Sequence, residues 1–154
     1  MKKSEMVILS NLRHNARESL TRMGRRTSIP ISTIYEKMKQ YEKDIIKKYT
    51  IIMDFGKLGF NTKVMMLVKT KKEDRDNLRG FLVENKHVNS IHKINNEYDF
   101  MIEGIFRELK DVEDFLERLE VDFGVVDKQI YYMVDEIKKE GFMSNAETFN
   151  YTEN

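Results

Sequence analysis

Four arginines, Arg17, Arg22, Arg25 and Arg26, lie close together, and a run of hydroxyl, amide and charged side chains follows them: Ser32, Thr33, Tyr35, Glu36, Lys37, Lys39 and Gln40. Guanidinium groups carry a fixed charge and forked donors that suit phosphate oxygens. A mixed set of donors and acceptors on one surface suits base edges in a major groove. The chemistry on offer is recognition of a polyanion by charge and hydrogen bonding, with no bond made or broken. Charge is distributed in the same sense. Residues 1–49 hold 12 Lys and Arg against 5 Asp and Glu, and the remainder 15 against 21, so a formal net charge of +1 hides a basic first third and an acidic rest. Charge segregated in this way directs the first third at a polyanion and leaves the remainder for another task.

Other residues with chemical potential do not converge. His14, His87 and His92 show no metal-ligand spacing, and the chain has no cysteine, so neither a thiolate site nor a disulfide is available. The histidines are expected on the surface or satisfied locally. The acidic run from Glu108 to Glu120 is interleaved with Leu109, Val112, Phe115, Leu116 and Leu119 at helical spacing, which makes it a solvated helix face rather than a pair of catalytic carboxylates. Neither a glycine-rich phosphate loop nor a nucleophile elbow is present. No catalytic residue, metal or resident cofactor is expected.

The elements that must carry the basic cluster follow from periodicity. Ser4, ahead of Ile8, Leu9 and Leu12, predicts a first helix over about residues 4–14, with Asn11 and Asn15 as stop or turn residues. Ser19 caps a second helix of about two turns. Pro30 has no amide donor and disfavours helix at Ile29, so Thr27–Pro30 reads as a connection. A third helix starts near Ile31 or Ser32. Its apolar stripe, Ile34, Met38 and Tyr41, turns Ser32–Gln40 outward. Two short helices joined by a turn, the second rich in donors, match the geometry of a helix-turn-helix.

Behind this lies a different pattern. Lys63–Thr70 predicts a central strand, Lys72–Lys86 an amphipathic helix, Val88–Ile94 a strand, Asn95–Asp99 a turn, Phe100–Phe106 a strand, the Leu109–Leu119 stripe a helix, and Val125–Val134 a last strand after Gly124. The order β-α-β-β-α-β closes into one antiparallel sheet with both helices on one face. Apolar residues at both parities, as in Val64-Met65-Met66-Leu67, predict that the helix-free face is also apolar and needs cover. A second copy packed sheet to sheet at about 10 Å would cover it and present two recognition helices one DNA turn apart, roughly 34 Å.

Ile8-Leu9, Leu12, Asn15-Ala16-Arg17, Ser32-Thr33-Ile34, Lys37-Met38, Tyr41-Glu42, Ile45-Ile46, Tyr49, Asp54 and Lys57-Leu58-Gly59 together resemble the leucine-responsive regulator/AsnC (feast/famine) family, and the resemblance runs on to about residue 140. It implies an α+β chain: a winged-type helix-turn-helix over 1–49, a linking strand and linker over 50–62, a ferredoxin-like βαββαβ dimerisation domain over 63–140 that can also bind an effector, and a C-terminal tail over 141–154. It implies a sequence-specific transcription regulator bound to double-stranded DNA, a homodimer or a larger even assembly such as a tetramer or octamer. At the turn Asn95, Asn96, Glu97, Tyr98 and Asp99 it implies an effector site, for an amino acid or another small molecule, with Asp99 retained and Asn96 standing where the family has glycine. Three other departures concern the front of the chain. Glu36, Lys37 and Lys39 stand where arginines are common, Ser28 and Asp44 where glycine is usual, and Gly24 where alanine is usual. Two alternatives share the plan: a decarboxylase-like enzyme of haem biosynthesis, and an architectural DNA binder with no effector.

Length and composition agree with two modest cores, at 154 residues and 40% hydrophobic content. The longest apolar run, Val64–Val68, is far below the ~20 residues of a membrane span, and Met1-Lys2-Lys3-Ser4-Glu5 is not followed by a signal-peptide core, so a cytoplasmic, nucleoid-associated protein is expected.

Overall fold

The computed structural model describes residues 2–95 and 97–145. Its element order is α1 (Lys3–His14), α2 (Leu20–Thr27), α3 (Ile31–Asp44), β1 (Thr62–Thr70), α4 (Arg75–Glu84), β2 (Val88–Lys93), β3 (Phe100–Phe106), α5 (Leu109–Phe123) and β4 (Val125–Tyr132), with short 3-10 turns at Gly56–Leu58 and Lys72–Asp74. Two compact units form. One comprises the described residues up to Ile52 together with those from Ile137 onward, and the other Met53–Glu136.

The helical unit is built on Ile8, Leu9, Leu12, Met23, Ile34 and Tyr41, the apolar positions that recur at helical spacing, with Leu20, Ile29, Met38 and Ile46 at its margin. The start of α1 differs from the expectation at Ser4. The helix begins one residue earlier, because the Glu5 carboxylate accepts the Lys2 N–H at 2.9 Å and satisfies a donor that the helix itself leaves open. Ser19 caps α2 as expected, its hydroxyl accepting from the Arg22 N–H at 3.2 Å. Gly24 of α2 has a packing reason. A Cβ there would lie 3.1 Å from the Ile29 carbonyl oxygen and 3.2 Å from an Ile31 side-chain carbon, so the absent side chain lets the turn and the start of α3 close onto α2. Ser28 follows at φ 58°, in the left-handed region where a Cβ is strained.

In the second unit the strands lie in the order β2-β3-β1-β4, every neighbour antiparallel. The register opposes Val64 to Gly104, Met66 to Ile102 and Val68 to Phe100, which puts these residues on one face. There they meet Leu78 and Leu82 of α4 and Val112, Phe115, Leu116 and Leu119 of α5 in a single core. Gly124 ends α5 at φ 60°, and a Cβ on it would collide with the Asp74 carboxylate at 2.3 Å. This is the ferredoxin-like split βαβ arrangement read from the sequence.

Two segments depart from expectation. Residues 50–61 contain no strand, because a strand needs a ladder partner and this stretch finds none among the described residues. Its Ile51, Ile52 and Met53 stay exposed. After β4 the chain returns to the helical unit, and the described part of the expected C-terminal tail, residues 141–145, belongs to that unit. The Arg13 Nε–H donates to the Phe142 carbonyl at 3.2 Å, the Arg13 guanidinium pairs with Glu140 at 2.5 Å, and Met143 packs against the helical core.

Candidate nucleic-acid interface and effector turn

The stripe that buries Ile34 and Tyr41 against α1 and α2 fixes which side chains of α3 face outward. Ser32, Thr33, Tyr35, Glu36, Lys39 and Gln40 are exposed, and Lys37 is half-buried. The arginines divide. Arg17, Arg22 and Arg25 are exposed, and their guanidiniums have no ion-pair partner among the described residues. Arg26 is committed internally. Its guanidinium pairs with Glu18, whose side chain is only 3% exposed, and donates to the Asn11 side-chain carbonyl, tying α2 to α1 and to the turn between them. Lys37 is committed likewise, its ammonium resting 2.6 Å from Glu5 and 3.4 Å from Gln40. That hydrogen bond, reinforced by the Lys2 N–H, holds the Glu5 carboxyl below the usual carboxylate range. Lys39 lies over the Tyr35 ring at 5.7 Å and 3.9 Å from Glu42. Sequence reading missed the counterions Glu5 and Glu18. Glu18 neighbours Arg17 in the chain, but its pairing with Arg26 arises only when α2 folds back.

Tyr41 carries an oddity of this core. Its hydroxyl is buried without a hydrogen-bond partner among the described residues, and burial, aided by the charge of Glu5, pushes its pKa up to about 12. A buried unpaired hydroxyl opposes stability.

In the second unit the turn before β3 is positioned by Asp99. Its backbone N–H donates to the Val68 carbonyl at 2.9 Å and its carbonyl accepts from the Ile94 N–H at 3.1 Å. Both carboxylate oxygens are occupied, one accepting the Thr70 N–H at 2.9 Å and the other meeting the Arg75 guanidinium at 2.6 Å. Arg75, at the start of α4, is a partner that no local signal in the sequence indicated. Tyr98 donates to Asp127 at 3.3 Å, and Asn95 and Glu97 are exposed. Asn96 lies outside the described residues.

The sheet face away from the helices carries Met65, Leu67, Met101 and Ile105. It is less uniformly apolar than expected. Lys63 pairs with Glu103 at 2.8 Å and with Glu136 at 2.5 Å, and Asn89 donates to Glu103 at 2.6 Å. Burial pulls the Lys63 pKa down, but the hydrogen bonds its ammonium donates to Glu103 and Glu136 outweigh it and leave it held above its ordinary value. The histidines stand apart from one another, at the end of α1, in a loop and on β2. His87 stacks on Phe106 with ring centroids 4.9 Å apart. No helix among the described residues is long and apolar enough to cross a membrane.

Comparison with known proteins places this arrangement. Residues 63–142 match the family model of the Lrp/AsnC ligand-binding domain. An uncharacterised HTH-type transcriptional regulator of Pyrococcus furiosus is 27% identical over 136 residues, covering 88% of this chain and 91% of that protein. The HTH-type transcriptional regulator LrpC of Bacillus subtilis is 23% identical over 132 residues, covering 85% and 92%. Among solved structures, a transcriptional regulator of Neisseria meningitidis in complex with L-methionine superposes with a TM-score of 0.84 at 20% identity, covering 90% of this chain and 93% of that one. The B. subtilis LrpC structure superposes at 0.82 with 21% identity, covering 90% and 97%. A ferredoxin-like unit that matches the family model, preceded by three helices in helix-turn-helix order, makes this chain a member of the Lrp/AsnC family of transcription regulators.

Proposed function

We propose that the chain regulates transcription by binding duplex DNA through α3, in an assembly whose smallest unit is a homodimer. The observation that carries this reading is the division of charge within the helical unit. Among the described residues, Arg17, Arg22 and Arg25 keep unpaired guanidiniums beside an outward α3 face of donors and acceptors, whereas Arg26 and Lys37 are neutralised internally. The three free arginines then hold phosphates, and Ser32, Thr33, Tyr35, Glu36, Lys39 and Gln40 meet base edges. Arg26 and Lys37 act by fixing the helices. Apolar surface left open within the chain supports pairing of copies: Ile51, Ile52 and Met53 in the linker, Tyr131, Tyr132 and Met133 at the end of β4, and the Met65, Leu67 and Met101 patch of the sheet. Two or four such dimers build a tetramer or an octamer, and size measurement distinguishes these from the lone dimer. A cytoplasmic, nucleoid-associated location follows from this activity.

An amino-acid effector at the 95–99 turn has to deal with the Arg75–Asp99 pair. A zwitterion suits it, with the ammonium taking Asp99 and the carboxylate taking Arg75, so that one ion pair is exchanged for two. That relatives of similar length are named transcriptional regulators supports a regulator over a haem-biosynthesis decarboxylase built on the same plan.

The test is a fluorescence titration of the purified chain against duplexes from its own promoter region. Binding is expected to weaken steeply as salt rises, and the double variant Arg22→Glu/Arg25→Glu to bind on the order of 100-fold more weakly at equal salt. A variant that binds as the parent does overturns the assignment.

A further inference from the structure

The acids of the first three helices and the turns between them are Glu5, Glu18, Glu36, Glu42 and Asp44. Glu5 is held by Lys37 at 2.6 Å, Glu18 by Arg26, and Glu42 lies 3.9 Å from Lys39 and accepts from the Tyr49 hydroxyl at 3.2 Å. Asp44 is the last residue of α3, about one turn beyond Gln40 at the end of the outward cluster. Glu36 is the exception. It is exposed in the middle of the outward face and has no ion-pair or hydrogen-bond partner among the described residues, although Lys37 and Lys39 flank it, because those cations are engaged with Glu5, Tyr35 and Glu42.

A carboxylate offers acceptors and no donor. On a surface that meets DNA it repels phosphates, so its favourable contact must be an amino group on a base edge. Two bases present one in the major groove. Adenine sets its N6 amino group beside the N7 acceptor of the same base, which suits an amide that both donates and accepts. Cytosine presents N4 with no acceptor on its own edge, which suits a carboxylate.

We propose that Glu36 is the specificity-determining residue of the α3 face and accepts a hydrogen bond from cytosine N4, so that each half-site carries a C·G pair at the position facing it. The inference rests on the reading of α3 as the DNA-binding helix. Glu36 thereby acts in two directions. It rewards one base pair and raises the cost of placing the helix on any other sequence, which widens the gap between specific and non-specific binding.

The experiment selects bound duplexes from a randomised pool with the full-length chain, then titrates the best duplex and its C→T variant against the parent, Glu36→Gln and Glu36→Ala. Thymine replaces the N4 donor with an acceptor. The parent is expected to prefer C over T at one position per half-site by about 5- to 150-fold, the range for one good base contact. Glu36→Ala should bring that ratio below about 3-fold while tightening binding to random-sequence duplex, and Glu36→Gln should move the preference toward adenine. Because Glu36 is exposed and unpartnered, both variants should melt as the parent does, which separates loss of readout from loss of fold. Selection profiles that coincide for parent and Glu36→Ala overturn the proposal and leave the DNA-binding reading standing. A parent that enriches no duplex at low salt overturns both.

Discussion

The two units of this chain put their ion pairs to different uses. In the α/β unit the pairs knit strands and helices together, Arg75 to Asp99, Lys63 to Glu103 and Glu136, Lys110 to Asp114 and Arg118 to Asp122, while cations such as Arg79 and Lys86 have no ion-pair partner among the described residues. In the helical unit some ions pair, Arg26 with Glu18 and Lys37 with Glu5, and others, Arg17, Arg22, Arg25 and Glu36, stay open on the outside. Net charge alone would rank all four arginines together. The residue left after pairing is the better guide to an interface, since a cation already neutralised by a neighbour has less to offer a phosphate. The units differ in packing too. The α/β core joins a sheet face to two helices, whereas the helical core rests on a few side chains and includes the unpaired Tyr41 hydroxyl.

The contrast in packing is tested most strongly by Leu119→Ala. Leu119 is fully buried between α5 and the sheet, so its truncation should cost about 2–5 kcal/mol in chemical denaturation. A loss below about 1 kcal/mol would mean that the α/β core is looser than described. The contrast in charge is sharpened by setting Arg26→Ala beside Arg25→Ala. Removing Arg26 strands the nearly buried Glu18 carboxylate and should cost about 1–2 kcal/mol of stability, discounted because Arg26 itself is half exposed. Removing Arg25 should leave the melting temperature unchanged and weaken DNA binding. Equal effects of the two on stability would erase the distinction between structural and open cations.

A smaller change of opposite sign is expected from Tyr41→Phe, which deletes the unpaired hydroxyl and should stabilise the helical unit by about 1 kcal/mol. The same variant has a pH signature. The folded Tyr41 keeps its proton to about pH 12, whereas the unfolded residue loses it near 10. Between those values the folded state binds more protons, so its stability is whole below pH 10 and falls as pH rises. Stability curves of parent and Tyr41→Phe should therefore keep a constant spacing below pH 10 and separate further above it. Constant spacing up to pH 12 would place the hydroxyl in water. The smallest effect is expected from Ser28→Gly. Relief of the left-handed strain, less the extra freedom of glycine in the unfolded chain, leaves a gain of about 0.5–1 kcal/mol, readable as a raised melting temperature.

Legibility in the sequence followed the range of the forces involved. The Ile34, Met38 and Tyr41 stripe and the Leu109–Leu119 stripe are set by neighbours one turn away, and both helices formed where periodicity put them. The alternation in Phe100–Phe106 fixed that strand to the residue, and the β-α-β-β-α-β order limited the sheet to few arrangements. The site was legible in part. The exposed positions of α3 could be read from its buried stripe, but the partners of its charges could not. Asp99 shows the limit most clearly, since its carboxylate is shared by Thr70 and Arg75, residues on another strand and on a helix.

What the sequence by itself determined is the type and order of the elements, the basic character of the first third and the side of α3 that faces outward, because period and composition are local properties. Among the described residues, tertiary structure alone decided which arginines stay open, that Glu36 stands without a partner, and that residues 137–145 fold back onto α1 through Arg13 and Met143. Those outcomes depend on ion pairs and apolar contacts between residues distant in the chain, and such contacts exist only once the backbone has brought them within a few ångströms.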